Sequence, residues 1–203
     1  LTAFRVAVPD PRTIYRNAHP YGLALLPSQP DTLYVADAGM NIVRQVSLST
    51  GRSKLLTRFP NTPNPSQAGP PVSEAVPNSV RAYGDQLLVS LLSGAPFVSG
   101  ASRIMAVDPS TGNSTLFISL LSSAIDVLYR AKADGSPQFF VLEYSENLLG
   151  GAPGKLLVYN SPAGEVLASG LSGPTNMALD QSTGNLYVTS RTNGTVLKLN
   201  VGL

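Results

Sequence analysis

The stretch Leu33-Tyr-Val-Ala-Asp37 carries the pattern that decides the fold. It is apolar at most positions, rich in β-branched and aromatic residues, and bounded on both sides by turn-forming residues, which is typical of a short β-strand. The same pattern returns at Leu87–Leu91, Phe139–Glu143 and Leu186–Ser190, each time with valine in the third position. Because the copies are spaced by roughly 50 residues, they predict a repeat architecture.

Three other strand patterns accompany these copies. A first strand is predicted before each copy, at Tyr21–Leu26, Asn78–Tyr83, Ile125–Tyr129 and Thr175–Leu179. A third strand is predicted after each copy, at Ile42–Val46, Arg103–Val107, Lys155–Tyr159 and Thr195–Leu199. A fourth strand follows in three repeats, at Ser53–Thr57, Ser114–Ile118 and Glu165–Ser169. Four short strands per repeat predict the four-stranded antiparallel blade of a β-propeller. No stretch has the length and 3.6-residue period of a substantial helix, so we predict an all-β fold.

The repeats divide the chain into four blades of a single β-propeller domain or fragment, residues 1–203. We predict a stray outer strand with its link at 1–18, blades at 19–59, 76–121 and 124–171, and a last blade at 174–203 that lacks its outer strand. Phe4–Val8 has the pattern of an outer strand although no inner strands precede it. Such a strand would belong to another blade of a larger propeller, completed by further sequence or by another chain. The alternative is a closed four-bladed ring in which Phe4–Val8 pairs with Thr195–Leu199.

Composition narrows the classes of function. The 203 residues are 43% hydrophobic and 13% charged, which is enough apolar material for a substantial core. A net charge of +2 without a basic run argues against nucleic acid or an anionic membrane as partner. No apolar run reaches the ~18 residues of a membrane-spanning helix. The sequence contains no cysteine, so neither disulfides nor thiolate chemistry is available.

The longest connections are expected on one face of the propeller. Because successive strands alternate in direction, the links between blades and the loops between second and third strands emerge on the same side. The long connections are residues 60–77, 93–102 and 145–154, and all three are of this kind. Function sits more often on such loops than on the scaffold. We therefore predict that they flank one groove, which binds a ligand or a protein partner.

The mouth of the central channel on this loop-rich face is the candidate ligand site. In a propeller it is lined by the starts of the first strands and the ends of the second strands. The residues at these positions are His19, Tyr21, Asp37, Asn78, Asp126, Glu143, Tyr144, Asn176 and Arg191. An alternative interpretation is that the Asp and Asn side chains only satisfy backbone groups of turns.

Asp126 and Glu143, with Asn78 nearby, are the candidate ligands for a calcium ion, since carboxylate and amide oxygens from different blades would converge on the axis. The same groups would place a base and an electrostatic stabiliser around a lactone or ester. No other cofactor is predicted and no catalytic residue is assigned. The sequence lacks a Ser-His-Asp order, a phosphate loop and a His/Cys metal spacing, so packing is favoured for His19, the only histidine.

Two glycosylation sequons begin at Asn113 and Asn193. The first falls in a turn between third and fourth strands, and the second in a loop between second and third strands. We predict that both asparagines are exposed, on opposite faces of the propeller. At least one should carry a glycan if the chain passes through a eukaryotic secretory pathway.

An ordered series of motifs resembles the ScyD/ScyE family of β-propellers. The series comprises His19–Leu23 with Leu33–Gly39, Glu74–Val80, Leu92–Phe97 leading to Arg103-Ile104, and Ile125–Val127 leading to Val141–Ser145. The resemblance implies an extracytoplasmic six-bladed propeller, of which this chain matches the last four blades. The family is linked by name to clusters for the pigment scytonemin, and it supplies no established catalytic residues to carry over.

These observations favour a secreted, non-catalytic β-propeller, extracellular or periplasmic, that binds a ligand or protein partner through its loop-rich face. Two alternatives stay open. One is a metal-dependent hydrolase resembling a lactonase or gluconolactonase, and the other is a structural component of an extracellular assembly. The small number of acidic residues at the channel mouth, Asp37, Asp126 and Glu143, favours the non-catalytic interpretation over the hydrolase.

Overall fold

The computed structural model describes residues 17–64 and 69–202, and within these ranges the regular secondary structure consists of strands alone. The predicted all-β fold is confirmed. In both ranges, no helix is long and apolar enough to cross a membrane. The predicted outer strand Phe4–Val8 lies outside the described residues.

Fifteen of the seventeen strands form four blades, and each blade contains the strands that the sequence predicts. Blade 1 consists of β1 (Pro20–Leu26), β2 (Gln29–Asp37), β3 (Ile42–Ser47) and β4 (Ser53–Arg58). Blade 2 consists of β7 (Pro77–Tyr83), β8 (Gln86–Leu91), β9 (Ser102–Val107) and β10 (Ser114–Leu121). Blade 3 consists of β11 (Ala124–Ala131), β12 (Pro137–Glu143), β13 (Gly154–Tyr159) and β14 (Gly164–Leu171). Blade 4 has three strands, β15 (Pro174–Asp180), β16 (Asn185–Ser190) and β17 (Thr195–Asn200).

Each blade is an antiparallel meander in which spatial order follows chain order. The remaining two strands, β5 (Thr62–Pro63) and β6 (Val72–Ser73), form a small ribbon inside the link between blades 1 and 2. The amide nitrogen Nδ2 of Asn64 donates to the carbonyl of Pro70 at 2.8 Å, which draws the two arms of this link together. The described residues on both sides of 65–68 are therefore held together by strand pairing and a side-chain hydrogen bond.

The first strand of each blade is its inner strand. Strands β1, β7, β11 and β15 pack on one another in that order, whereas the described part of the chain shows no comparable packing of β15 back onto β1. Gly22 allows β1 and β7 to approach closely, because a Cβ atom there would lie 2.5 Å from the carbonyl oxygen of Asn78. Within the described residues, the four blades thus form an open arc with two end faces.

The core is divided into three layers, one between each pair of neighbouring blades. Tyr34 and Val89 belong to the first layer, Val127 and Val141 to the second, and Phe140 belongs to the third. The alternation along each second strand explains this division, since successive residues point to opposite faces of the blade. In β12, for example, Val141 faces blade 2 while Phe140 faces blade 4.

Candidate functional site

The inner strands share an irregularity where they begin, and it positions the residues of the channel mouth. The register shifts between Pro20 and Leu23 in β1, between Pro77 and Val80 in β7, between Ala124 and Asp126 in β11, and between Pro174 and Asn176 in β15. Such bulges change the direction in which side chains point, and they are frequent next to binding sites. Tyr21, Asn78, Asp126 and Asn176, four of the candidate residues, lie within or at the end of these irregular segments.

Asp126 joins three blades at the axis. Its fully buried carboxylate accepts from Arg81 Nε at 3.0 Å and from Arg81 Nη2 at 2.6 Å. The backbone N–H groups of Met177 and Val127 also donate to it, at 2.8 and 2.9 Å. Arg81 Nη2 lies 3.2 Å from Asn176 Oδ1 as well. Both oxygens of Asp126 are therefore engaged by the protein itself, in a bidentate pair of the strong type.

Tyr21, from blade 1, lies within electrostatic range of Asp126, Tyr144 and Arg191, which come from blades 3 and 4. Burial raises the pKa of the Tyr21 phenol, Asp126 and Tyr144 raise it further, and the Arg191 guanidinium opposes the rise. Tyr21 is 47% exposed and Arg191 is exposed as well. The structure therefore brings these predicted mouth residues within range of Tyr21.

Glu143 belongs to a different cluster, between blades 2 and 3. Its Oε1 accepts the backbone N–H of Ser122 at 2.7 Å, and Lys155 Nζ lies 3.3 Å from Oε2 in an ion pair without hydrogen-bond geometry. Burial raises the pKa of this carboxyl, against the lowering effects of Ser122 and Lys155. Asp126 and Glu143 thus have separate partners, and a calcium ion held by both stays a prediction that this geometry does not favour. Among the described residues, no group of three or more acidic or histidine side chains is placed to hold a metal ion.

Asp37 and His19 have structural roles at the rim. Asp37 Oδ1 accepts the backbone N–H of His19 at 2.9 Å and that of Met40 at 3.2 Å, so it fixes the turn after β2. The His19 ring lies over Gly39, where a Cβ atom would come within 2.5 Å of its Cδ2. These contacts hold the exposed His19 at the rim of blade 1, and its packing role stays a prediction. Asn78 is 5% exposed, and its Nδ2 donates no hydrogen bond to the described part of the chain.

A groove of about 400 Å³ lies between blades 1 and 2 on the loop-rich face. Its walls are mostly apolar and come from the link between the blades, the loop after β8 and the rim of blade 1. The lining residues are His19, Ala38, Gly39, Pro70, Val72, Glu74, Val76, Gly94, Ala95 and Phe97. Two of the three long connections, 60–77 and 93–102, therefore flank one groove, as predicted.

The third long connection, 145–154, lines a separate cavity of about 340 Å³ against the link between blades 3 and 4. The prediction that all three share one groove is wrong in this respect, because each loop leans over its own blade interface. Hydrogen bonds still join the loops across the face. Ser99 and Ser122 pair through their hydroxyls at 2.6 Å, and Tyr144 N donates to the carbonyl of Ser123 at 2.9 Å.

The groove is built by contacts that local sequence patterns do not reveal. Three backbone N–H groups of the loop after β8 donate to the link, including Ser93 to Ala75 at 3.1 Å and Gly94 to Glu74 at 2.7 Å. Asn41, buried in the turn after β2, accepts the N–H of Val76 at 2.9 Å through its side chain. Sequence reasoning missed Asn41, since its position in a turn suggested only a local role.

Two lining residues of the groove have an unusual backbone. Val76 and Phe97 have φ angles of 54° and 56°, in the left-handed region that side chains other than glycine rarely adopt. For a β-branched residue such as Val76 this conformation is a genuine outlier. Strained residues of this kind persist only where surrounding contacts fix them, and they are concentrated at functional sites.

Comparison with solved structures identifies the fold. A chain in the crystal structure of a nidogen–laminin complex matches with a TM-score of 0.64 at 14% identity, over 93% of this chain and 61% of that one. A gluconolactonase of Xanthomonas campestris matches with a TM-score of 0.63 at 14% identity, over 92% and 59%. Regucalcin, a calcium-binding protein of Agrobacterium tumefaciens, matches with a TM-score of 0.60 at 12% identity, over 90% and 54%.

These neighbours are β-propeller proteins, so the chain has a propeller fold. It spans about three fifths of the length of the first two structures. No protein-family model and no curated protein matches the sequence. At identities this low the likeness concerns the fold alone, and function has to be argued from the site.

Proposed function

We propose that the chain is a secreted, non-catalytic binding module that receives an apolar group of a ligand or protein partner in the groove between blades 1 and 2. The observation that carries the proposal is the groove itself, a space of about 400 Å³ formed by two elaborated connections. Val72, Ala95 and Phe97 give it an apolar wall, and His19 supplies a polar group at its rim. Concave, mostly apolar sites with a few polar groups are the usual form of a ligand pocket.

The left-handed residues support a site that is shaped before its ligand arrives. Asn41 of blade 1 holds Val76 of the link by accepting its backbone N–H, and the N–H of Phe97 donates to the carbonyl of Gly94 at 2.9 Å. These contacts fix the backbone at both residues. A preorganised wall loses little conformational entropy on binding, which favours affinity.

The placement of the carboxylates supports a binding role over catalysis. The oxygens of Asp126 are occupied by Arg81 and two backbone N–H groups, and Asp37 accepts the backbone N–H groups of Met40 in its own turn and of His19 before β1. Glu143 is paired with Lys155 of the neighbouring strand in blade 3, and it accepts the backbone N–H of Ser122 in the link from blade 2. A general base has to reach the proton that it removes, and a calcium ion needs several free oxygens around one point. These carboxylates serve the scaffold instead.

The solved neighbours bear on the proposal only through their fold. One neighbour belongs to a nidogen–laminin complex, so this architecture is compatible with protein binding. Another is a gluconolactonase, so the same architecture is also compatible with the hydrolase alternative. Membership of the ScyD/ScyE family and an extracellular location are parts of the same proposal, and they rest on the sequence motifs. Asn113 and Asn193 are both exposed, as glycan attachment requires.

The test compares what the natively purified protein retains. Ala95→Trp places a large side chain in the groove from its exposed rim, while Leu149→Trp adds the same group to an exposed position of the third long loop. Mass spectrometry under native conditions should find a bound small molecule or partner on the wild type and on Leu149→Trp. It should be lost from Ala95→Trp. Equal retention by all three proteins would exclude the groove as the binding site.

The hydrolase alternative has its own test. Purified protein is assayed for hydrolysis of glucono-δ-lactone with calcium and with a chelator. We expect no turnover above the spontaneous rate in either condition. Calcium-dependent hydrolysis that disappears in Glu143→Gln would overturn the non-catalytic proposal.

A further inference from the structure

Another cavity, of about 660 Å³, lies at the outer end of the interface between blades 2 and 3, away from the loop-rich groove. One wall is β10, the outer strand of blade 2. The other is formed by the start of β12, the end of β13 and the turn that leads into β14. The cavity therefore opens at the perimeter of the propeller, where no predicted site residue lies.

The inner wall of this cavity is the end of an aromatic cluster. Phe117 and Phe139 meet edge to face, with ring centroids 5.0 Å apart and an angle of 73°. Tyr83 contacts Phe139 at 5.2 Å and Tyr129 at 4.8 Å, again edge to face. Aromatic rings favour such arrangements because the electron-rich face of one ring attracts the edge of the next. A further ring placed in the cavity would extend the array.

Tyr159 forms the opposite wall, and Gly164 fixes where its ring lies. A Cβ atom on Gly164 would come within 2.4 Å of Cζ of Tyr159 and within 2.8 Å of two other ring atoms. The ring thus lies flat across the backbone at the start of β14, a position that only glycine permits. Any side chain at residue 164 would push the ring out of this place.

The polar groups of the cavity are neutral. None of its lining residues is Asp, Glu, Lys, Arg or His. Asn160 uses its Oδ1 to accept from Gln138 Nε2 at 2.7 Å, which leaves its amide nitrogen as a donor. Ser119 and Ser161 contribute hydroxyl groups. The site therefore matches an uncharged ligand with a hydrogen-bonding substituent, since a charged one would be desolvated without a counter-charge.

Leu120 marks the rim. It is 84% exposed, and its φ angle of 61° lies in the left-handed region. A leucine gains nothing from either property in the isolated chain. Bound against a ligand, the same side chain would cover its apolar surface.

We propose that this cavity binds a neutral aromatic small molecule, with its ring between Phe117 and Tyr159 and its polar substituent toward Asn160. The site is independent of the loop-rich groove. An aromatic ring suits it better than a sugar, because Phe117, Phe139, Pro137 and Pro162 offer apolar surface to both sides of a planar ligand. The neutral lining excludes an organic anion as the preferred ligand.

The test is a titration of the full chain, labelled with ¹⁵N, with 2-naphthol. Saturable shifts are expected for backbone amides in 117–120 and 159–164, and none at Phe97 in the other groove. Gly164→Ala and Leu120→Ser should each weaken binding about tenfold or more. Leu116→Ser is the matched control, because Leu116 is 59% exposed on the same strand and does not line the cavity.

Several results would overturn the proposal. These are the absence of saturation below ~2 mM, equal weakening by Leu116→Ser and Leu120→Ser, and shifts centred on Phe97. Methyl β-D-glucopyranoside is titrated in parallel, and binding as tight as that of 2-naphthol would contradict the aromatic ligand class. Should Gly164→Ala fail to fold, Leu120→Ser decides the outcome, since its side chain is at the surface.

Discussion

Asp126 shows how much of this propeller depends on one side chain. Its carboxylate holds Arg81 of blade 2 and the backbone of Met177 in blade 4. Asp126→Asn keeps the shape but leaves the half-buried guanidinium without its charge partner, so we expect a loss of about 3 kcal/mol in the free energy of unfolding. Urea denaturation measures it. Asp85→Asn, at an exposed turn residue, is the control, and an equal loss in both variants would show that the axial pair does not stabilise the fold.

Exposed aspartates in turns make the fold sensitive to acid. The pKa is lowered at Asp31, Asp108, Asp134 and Asp180, and all four accept hydrogen bonds from nearby hydroxyl and backbone groups. The hydroxyl and backbone N–H of Ser110 lower the pKa of Asp108 to about 2, against an ordinary pKa of 3.8. Because the folded pKa lies below the unfolded one, these groups stabilise the fold above pH 3.8, and the effect is lost as the pH falls toward 2.

We therefore expect the urea midpoint to fall between about pH 5 and about pH 2. Asp108→Asn should flatten this decline, because the amide does not titrate. Its midpoint should lie closest to that of the wild type at the acid end of the range. Parallel pH profiles for the two proteins would contradict the role assigned to this carboxylate.

Among the elements, the turns between third and fourth strands make a matched comparison possible. Gly51 in blade 1 and Gly112 in blade 2 both have left-handed backbones, with φ of 69° and 77°. A Cβ atom would meet nothing at Gly51, whereas at Gly112 it would lie 2.1 Å from the carbonyl oxygen of Leu56 in blade 1. Gly51→Ala should lower the free energy of unfolding by about 1 kcal/mol, because alanine disfavours the left-handed backbone. Gly112→Ala should cost about 1–3 kcal/mol more, because the blades must separate.

Thermal or urea unfolding of the two alanine variants checks this difference. A similar loss of stability in Gly51→Ala and Gly112→Ala would mean that the turn of blade 2 does not fix the spacing between blades 1 and 2. The contact of Gln45 Nε2 with the carbonyl of Pro109, at 2.8 Å, is a second contact between blades 1 and 2, made by the same turn of blade 2. Gln45→Ala should therefore destabilise as well, and its effect should not add fully to that of Gly112→Ala.

The strands could be predicted because each carries a local signal, an apolar run between turn residues. The ribbon β5–β6 could not, since two-residue strands have no period and are fixed by contacts such as that of Asn64 with Pro70. Half of the site followed from topology alone, which placed Tyr21 and Asp126 at the mouth. Arg81 was missed because nothing local indicates that a side chain in mid-strand reaches the next blade. Its only signal was a charge in the middle of an inner strand.

At the scale of the whole molecule, both ends of the arc present surface that blades elsewhere bury. Leu23 and Leu25 on β1 are 58% and 52% exposed, although they lie on a face of the blade 1 sheet that a neighbouring blade would normally cover. At the other end, no strand of the described residues pairs with the outer edge of β17, and Val196 on this strand is 62% exposed. Neighbouring blades cover the equivalent positions inside the arc, where Val80 and Val127 are buried. Exposed apolar surface of this extent indicates an interaction site.

The chain on its own should therefore associate through these end faces. Burying two leucines contributes about 3 kcal/mol, so Leu23→Ser with Leu25→Ser should weaken self-association roughly a hundredfold. Leu48→Ser, at a turn residue that is 53% exposed, is the control and should leave self-association unchanged. Sedimentation velocity over a range of concentrations measures the effect, and a chain extended by further blades should lose it. A stable monomer, or hydrogen-exchange protection showing Phe4–Val8 paired with Thr195–Leu199, would instead establish a closed four-bladed ring, in which blade 4 covers these leucines.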